Sequence, residues 1–177
     1  MFKVIKDFFH KLSILNKMGE NIFKDPVTGL YNRRYFEEVA KTELANARRY
    51  DRDLTFVMMD VNNFKRINDQ FGHDVGDKVL TKIGELLEEN SRESDLVARW
   101  GGDEFVALLP GTSKENSKKL LKRVTKQFNE YINKNNLCSE TSLSYGIESW
   151  KIDNLVQVSK RADRKMYYHK DKTKNGN

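Results

Sequence analysis

The stretch that decides the fold is Leu96-Val97-Ala98-Arg99-Trp100-Gly101-Gly102-Asp103-Glu104-Phe105-Val106-Ala107-Leu108-Leu109. Residues 96–100 and 105–109 are short, apolar, β-rich runs. The Gly-Gly-Asp-Glu between them is too short for anything but a hairpin connection. Upstream, residues 54–61 form another β-rich apolar run that ends in Asp60-Val61-Asn62-Asn63. Downstream, residues 141–150 alternate as a strand. Helical spacing fills the intervals. Phe36, Val39, Ala40 and Leu44 mark a helix over 34–50, and Val75, Val79, Leu80, Ile83, Leu86 and Leu87 mark one over 74–90. Two further helices are expected over 113–134 and 154–171. A hairpin set within helix–strand alternation predicts an α/β or α+β fold, a sheet with helices packed on it.

The rest of the composition narrows the function classes. The chain has 177 residues, enough for one domain with a real core and perhaps a small appendage. A single cysteine, Cys138, excludes an internal disulfide framework. No run approaches the roughly 18 apolar residues of a membrane span, and aromatics at 11% argue against wholesale disorder. The net charge of +6 sits at the two ends. Residues 1–24 hold five lysines against two acids, and residues 159–177 hold seven basic side chains against two acids. These clusters read either as solvated helix faces or, at the C-terminus, as a phosphate-binding patch. A nucleic-acid stripe is not expected, because no run of stackable aromatics interleaves with the basic residues.

The first residues do not read as a signal peptide, since Lys6, Asp7, His10 and Lys11 interrupt the apolar positions. Met1, Ile5, Phe8, Leu12, Leu15 and Ile22 instead follow heptad-like spacing. Two readings stand: an amphipathic helix packed on its own domain, or one pairing with a second copy. Asp25-Pro26 punctuates the chain. The expected organisation is therefore an N-terminal helix over residues 1–24 and a domain over 25–177.

The hairpin also carries chemistry. Adjacent glycines let a bulky ligand approach the backbone. Strand alternation would send Asp103 and Glu104 to opposite faces. If the 54–61 strand neighbours the hairpin, Asp60 converges on one of them. Carboxylates without His or Cys partners suit Mg²⁺ or Mn²⁺, ions that commonly work with phosphates. The competing reading is a glycine turn with solvated acids. A second patch follows Asp60: Phe64-Lys65-Arg66-Ile67-Asn68-Asp69, then Phe71-Gly72-His73 and Gly76-Asp77. An amide and a carboxylate there could read the edge of a guanine, or the acids could simply serve a helix start.

Taken together, these residues resemble the GGDEF family of diguanylate cyclases. The pieces occur in family order: Asp25-Pro26-Val27-Thr28-Gly29-Leu30-Tyr31-Asn32-Arg33-Arg34, then Asp60 through Asp77, then Arg99-Trp100-Gly101-Gly102-Asp103-Glu104-Phe105. Ser144-Tyr145-Gly146 and Ala162-Asp163 with Met166-Tyr167 and Lys170 complete them.

The resemblance implies a palm-like fold with a central, mostly antiparallel five-stranded sheet. It implies condensation of two GTP into cyclic di-GMP and two pyrophosphates across a homodimer, in the cytoplasm, with Mg²⁺ or Mn²⁺ as cofactor. Carried over by position, Asp60 and Asp103 would hold the metal by their carboxylates and Val61 by its carbonyl. Glu104 would support the metal and help activate the 3′-hydroxyl. Asn68 and Asp77 would read guanine, and Asn63, Phe64 and Lys65 would cradle phosphates. Lys170 and Lys174 stand where triphosphate-binding cations are expected. Arg92 and Asp95 match an Arg-x-x-Asp site at which the product inhibits, with Arg123 as a secondary contact. The N-terminal helix resembles a stalk that couples such domains to a sensor domain or partner.

Two departures are visible. Asn62 replaces a second aspartate; it is not among the carried-over ligands, so activity is expected to survive. Lys174-Asn175-Gly176-Asn177 stands where the family shows Gly-Arg-Asn and a closing strand. That edge strand is expected to be missing or very short, and Lys174 offers a point charge in place of arginine's fork. The alternative function is a non-catalytic GGDEF module that binds GTP or cyclic di-GMP as a regulator. Such modules typically lose the acids that are intact here.

Overall fold

The computed structural model describes residues 22–150 and 154–175. The heptad-like residues Met1 through Leu15 lie outside the described residues. The element order is β1 (Tyr31–Asn32), α1 (Arg33–Arg49), β2 (Leu54–Asn62), α2 (Phe64–Phe71), α3 (His73–Asn90), β3 (Leu96–Gly101), β4 (Glu104–Pro110), α4 (Lys114–Lys134), β5 (Ser142–Ser149) and α5 (Leu155–Asn175). The strands form one five-stranded sheet in the order β1-β3-β4-β2-β5. Only β1 and β3 run parallel; the other three pairings are antiparallel. The sheet is the mostly antiparallel, helix-flanked one expected.

Strand alternation divides the core in two. From β2, Val57, Met59 and Val61 enter one cluster, with Ile67 of α2, Leu80 and Ile83 of α3, and Val124 and Phe128 of α4. Leu54, Phe56 and Met58 enter the other, with Phe36 and Ala40 of α1 and Val158, Ala162 and Met166 of α5. β2 is therefore buried on both faces along its whole length, which is why its sequence reads as a continuous apolar run rather than an alternating one. In the second cluster the Phe36 and Trp150 rings both meet Phe56 edge-on, each with centroids 6.1 Å apart. Such pairs contribute about 0.5–1.5 kcal/mol each beyond area burial.

Local signals set the helix ends. Asn32 accepts a hydrogen bond from the Tyr35 N–H at 3.0 Å and caps α1, whose last turn carries Arg48 and Arg49 against the negative end of the helix dipole. The Asn32 amide also donates to the Ile22 carbonyl at 2.7 Å, fastening the preceding segment to the start of the domain. Ser113 caps α4. Among the described residues, no helix is long and apolar enough to cross a membrane.

Candidate active site

Asp60 is the penultimate even-numbered residue of β2, on the α1/α5 face where Leu54, Phe56 and Met58 precede it. Its register partner on β4 is Glu104. Opposed residues of an antiparallel pair share a face, so this pairing brings the two carboxylates to the same side of the sheet. Asp103 is not on a strand. After a bulge between Arg99 and Gly101, β3 ends at the Gly101–Glu104 pair, and Asp103 lies in the turn, its carbonyl accepting from the Val61 N–H at 3.2 Å. The alternation expected of Asp103 and Glu104 therefore does not apply. Gly102 has φ +54°, a conformation that disfavours any side chain, and a Cβ built on Gly101 or Gly102 would meet nothing within 4 Å. The space above the turn is open.

The three acids feel one another. Burial, then the neighbouring Asp60 charge, pushes the Asp103 carboxyl above its ordinary range. Glu104 is raised by burial and by the charges of Asp60, Asp103 and Asp163. Lys170 of α5 lies on the other side of Asp60, its ammonium 2.5 Å from a carboxylate oxygen. The cation that the sequence assigned to a triphosphate thus pairs with an acid that it assigned to a metal. Lys174 lies in the last turn of α5, where side chains are outside the described residues.

The turn is anchored from a distance that sequence reading did not bridge. Arg99 donates through Nε and Nη2 to the Gly102 carbonyl at 3.0 and 2.8 Å. Through Nη1 it reaches both Asp25 carboxylate oxygens, at 3.1 and 3.2 Å. Asp25 in turn accepts from the Thr28 N–H at 2.9 Å and the Thr28 hydroxyl at 2.8 Å. Burial would raise the Asp25 carboxyl, but Thr28 and Arg99 together hold it below its ordinary value.

The second patch forms a helical pair. Asn63, in the left-handed region at φ 59°, starts α2. Its amide donates to the Glu140 carbonyl at 2.8 Å, and Arg66 pairs with the Glu140 carboxylate. Phe64 packs against the core while Lys65 is exposed. Asn68 projects onto α3: a Cβ added at Gly76 would lie 1.9 Å from its Oδ1. Exposed Asp77 follows immediately, so the structure brings Asn68 and Asp77 to adjoining positions on facing helices. Asn62 turns the other way, donating to the Ser142 and Ser144 hydroxyls of β5 at 2.8 Å each.

Arg92 and Asp95 lie at the opposite end of β3 from the glycine turn. The Asp95 carboxylate accepts from the Arg92 N–H at 2.9 Å, closing a tight turn that leaves the Arg92 side chain exposed. Arg123 of α4 binds the Asn90 side chain and carbonyl, at the end of α3, and so sits beside this turn.

Among the described residues, no three His, Cys, Asp or Glu side chains form a ready-made metal cluster. The neighbouring carboxylates of Asp60, Asp103 and Glu104 suit a cation that brings phosphate and water as further ligands.

Residues 22–176 match the family described as "Diguanylate cyclase, GGDEF domain". The probable diguanylate cyclase DgcC of Escherichia coli K12 is 41% identical over 106 residues, 60% of this chain and 29% of the relative. The diguanylate cyclase DgcP of Pseudomonas aeruginosa is 45% identical over 116 residues, 66% of this chain and 17% of the relative. The chain thus spans less than a third of either relative's length. Among solved structures, the diguanylate cyclase SiaD of Pseudomonas aeruginosa, in complex with its activator SiaC, aligns with a TM-score of 0.75 at 30% identity over 95% of this chain and 66% of that one. The coiled coil and GGDEF domain of DgcB from Caulobacter crescentus shares the fold with a TM-score of 0.81 at 19% identity, over 98% of this chain and 92% of that one. An intact Gly-Gly-Asp-Glu-Phe turn, set against Asp60 on this sheet and matched from residue 22 to 176, identifies the chain as a member of the GGDEF diguanylate cyclase family.

Proposed function

We propose that this chain is an active diguanylate cyclase, which joins two GTP molecules into cyclic di-GMP across a homodimer whose protomers each hold one GTP. The observation that carries the reading is the register pairing of Asp60 with Glu104 beside Asp103, three intact acids crowded under an open glycine turn. The similarity to DgcC and DgcP supports it.

Asp60 and Asp103 would hold Mg²⁺ or Mn²⁺ by their carboxylates, Val61 by its carbonyl, with Glu104 in support. A divalent ion bound there supplies charge neutralisation at the phosphates and positions the reacting oxygens. The chain's own residues do the rest. Each 3′-oxygen forms a bond to the α-phosphorus of the facing GTP as the bond to pyrophosphate breaks, and two such displacements close the ring. Glu104 helps take the hydroxyl proton and passes it to solvent. The N–H groups at the start of α2, around Asn63, Phe64 and Lys65, meet the phosphates at the positive end of the helix dipole. Asn68 and Asp77 grip the guanine edge, the amide through donor and acceptor, the carboxylate through guanine N–H groups. Lys170 and Lys174 would supply positive charge to the triphosphate.

Arg92 and Asp95, with Arg123 alongside, form the product-inhibition site. They stand about 20 Å from the glycine turn, the length of a six-residue strand, so product held there acts on domain placement rather than by filling the GTP site. Control of the chain by a sensor or partner is in keeping with the similar SiaD, which is in complex with its activator SiaC.

The test is the purified chain with GTP and Mg²⁺, following pyrophosphate release and identifying the nucleotide by mass. Cyclic di-GMP supports the cyclase. Binding without product, even in a dimer forced by a dimerising tag fused to the N-terminus, supports the regulatory module instead.

A further inference from the structure

β5 is the outer strand of the sheet among the described residues, paired with β2 on one side and with no strand on the other. Beyond the ladder, the Trp150 N–H donates to the Leu54 carbonyl at 2.7 Å. That bond fixes the parity. The main-chain groups of residues 142, 144, 146 and 148 turn toward β2, and those of Leu143, Tyr145, Ile147 and Ser149 turn outward. The Ile147 carbonyl shows the outward direction, accepting from the Lys165 ammonium at 3.4 Å.

A groove runs along this edge between α4 and α5. One part, of 410 Å³, is bordered by Lys122 and Lys126; the adjoining part, of 590 Å³, by Lys114, Lys118, Lys165 and Tyr168. The two meet at Tyr145 and His169, whose ring centroids are 4.5 Å apart. Lys114, Lys118, Lys122 and Lys126 recur every four residues on α4 and so share one face. They span about 18 Å at the helical rise, the reach of five to six extended residues at about 3.3 Å each. Like charges at this spacing destabilise a helix by some tenths of a kcal/mol per pair. Lys114 is offset by Glu148 at 3.3 Å and Lys126 by Glu130 at 3.8 Å. Lys118 and Lys122 are exposed and have no ion pair among the described residues.

We propose that the outer edge of β5 takes up an extended acidic peptide segment of a partner protein by strand addition. The segment's main chain pairs with the outward groups of Leu143 and Tyr145 and with the Ile147 N–H, the Ile147 carbonyl being taken by Lys165. Side chains of an added strand alternate in facing, so every second residue meets the α4 lysines, and carboxylates there complete Lys118 and Lys122. The others lie against α5, where Tyr168 is 63% exposed. Main-chain pairing gives the affinity and the alternate charges give the selection. A peptide fits better than a polynucleotide, because the outward main-chain donors and acceptors recur at the strand repeat.

The test uses the full chain and a fluorescent heptapeptide of alternating glutamate and valine, read by anisotropy and by amide hydrogen exchange. Saturable binding is expected, with exchange at the Tyr145 and Ile147 amides slowed at least tenfold. A peptide N-methylated at alternate residues should not bind. Lys118→Glu with Lys122→Glu should weaken binding about tenfold without lowering Tm, since both residues are exposed. The proposal is overturned by absence of binding, or by equal binding of the N-methylated peptide. It is also overturned if the Tyr145 and Ile147 amides are already protected in the free chain, which would mean that its own residues cover the edge. Preference for a single-stranded oligonucleotide of equal charge overturns it as well.

Discussion

The Lys170 ammonium lies 2.5 Å from the Asp60 carboxylate, across 110 residues of sequence, and offsets the charge of an acid that we propose as a metal ligand. Both side chains are largely buried, at 25% and 12% exposure. Asp60 also neighbours Asp103 and Glu104, so removing the lysine leaves the three acids offset only by Arg99 and Arg33. Lys170→Ala is expected to lose about 1–2 kcal/mol in EDTA, between the values for surface and buried pairs, which lowers Tm by about 2–8 °C. Mg²⁺ with GTP should recover most of the loss, while the KM for GTP rises. An equal Tm loss with and without Mg²⁺ and GTP would count against a shared cation site.

Gly76→Ala separates binding from stability. The new Cβ would fall 1.9 Å from Asn68 Oδ1, the end of a side chain that can swing away. Alanine is the better helix former by about 1 kcal/mol, so Tm should hold or rise. With Asn68 displaced, the KM for GTP should rise about tenfold, the equivalent of one lost hydrogen bond in a buried site. Steady-state kinetics and a melting curve on the same sample test both halves.

At Gly146 the result should be the reverse. A Cβ there meets the Ala162 carbonyl oxygen at 1.8 Å and the Met166 nitrogen at 2.8 Å. These are backbone atoms of α5, which covers the β5 face, and they cannot rotate away. Gly146→Ala is expected to cost about 3 kcal/mol or more, within the range of severe overpacking. Denaturant unfolding checks it.

Acid stability should depend on Asp25. Thr28 and Arg99 hold its carboxyl below the ordinary 3.8 despite burial. Glu148, raised by burial, is likewise brought below 4.5 by Lys165 and Lys114. For acids depressed in the folded state the unfolded chain binds protons first, so the stabilisation is present above the unfolded values and is lost as pH falls through the folded ones. Wild type should therefore lose stability steeply below about pH 4. Asp25→Asn should be about 3 kcal/mol less stable at neutral pH, from the broken, largely buried pair with Arg99, and should show a shallower acid slope. Urea midpoints across pH 3–7 measure both.

Long periodic elements were legible in the sequence: α1, β2, α3, the β3–β4 hairpin, α4, β5 and α5 all follow from apolar spacing. Two elements were not. α2 has eight residues and buries only Ile67, too little repetition for a helical period to show. β1 has two residues and exists through its parallel pairing with β3. Of the candidate site, the acids at Asp60, Asp103 and Glu104 could be named but not aimed. Asp103 lies in the turn between the paired residues Gly101 and Glu104, outside strand alternation, and where pairing stops is a register event between two strands, invisible along one. The Arg99–Asp25 and Lys170–Asp60 pairs join residues 74 and 110 positions apart, and no local pattern links such positions.

The most direct test compares wild type with Glu104→Gln in a dimer enforced by a dimerising tag fused to the N-terminus, measuring both cyclic di-GMP formation from GTP with Mg²⁺ and cyclic di-GMP binding. The account predicts that wild type forms cyclic di-GMP. Glu104→Gln should lose at least about 100-fold in rate, the scale of one lost acid–base group, and still bind the product with unchanged Kd through Arg92 and Asp95. Absence of product from the wild-type dimer, or equal rates in the two proteins, would contradict it.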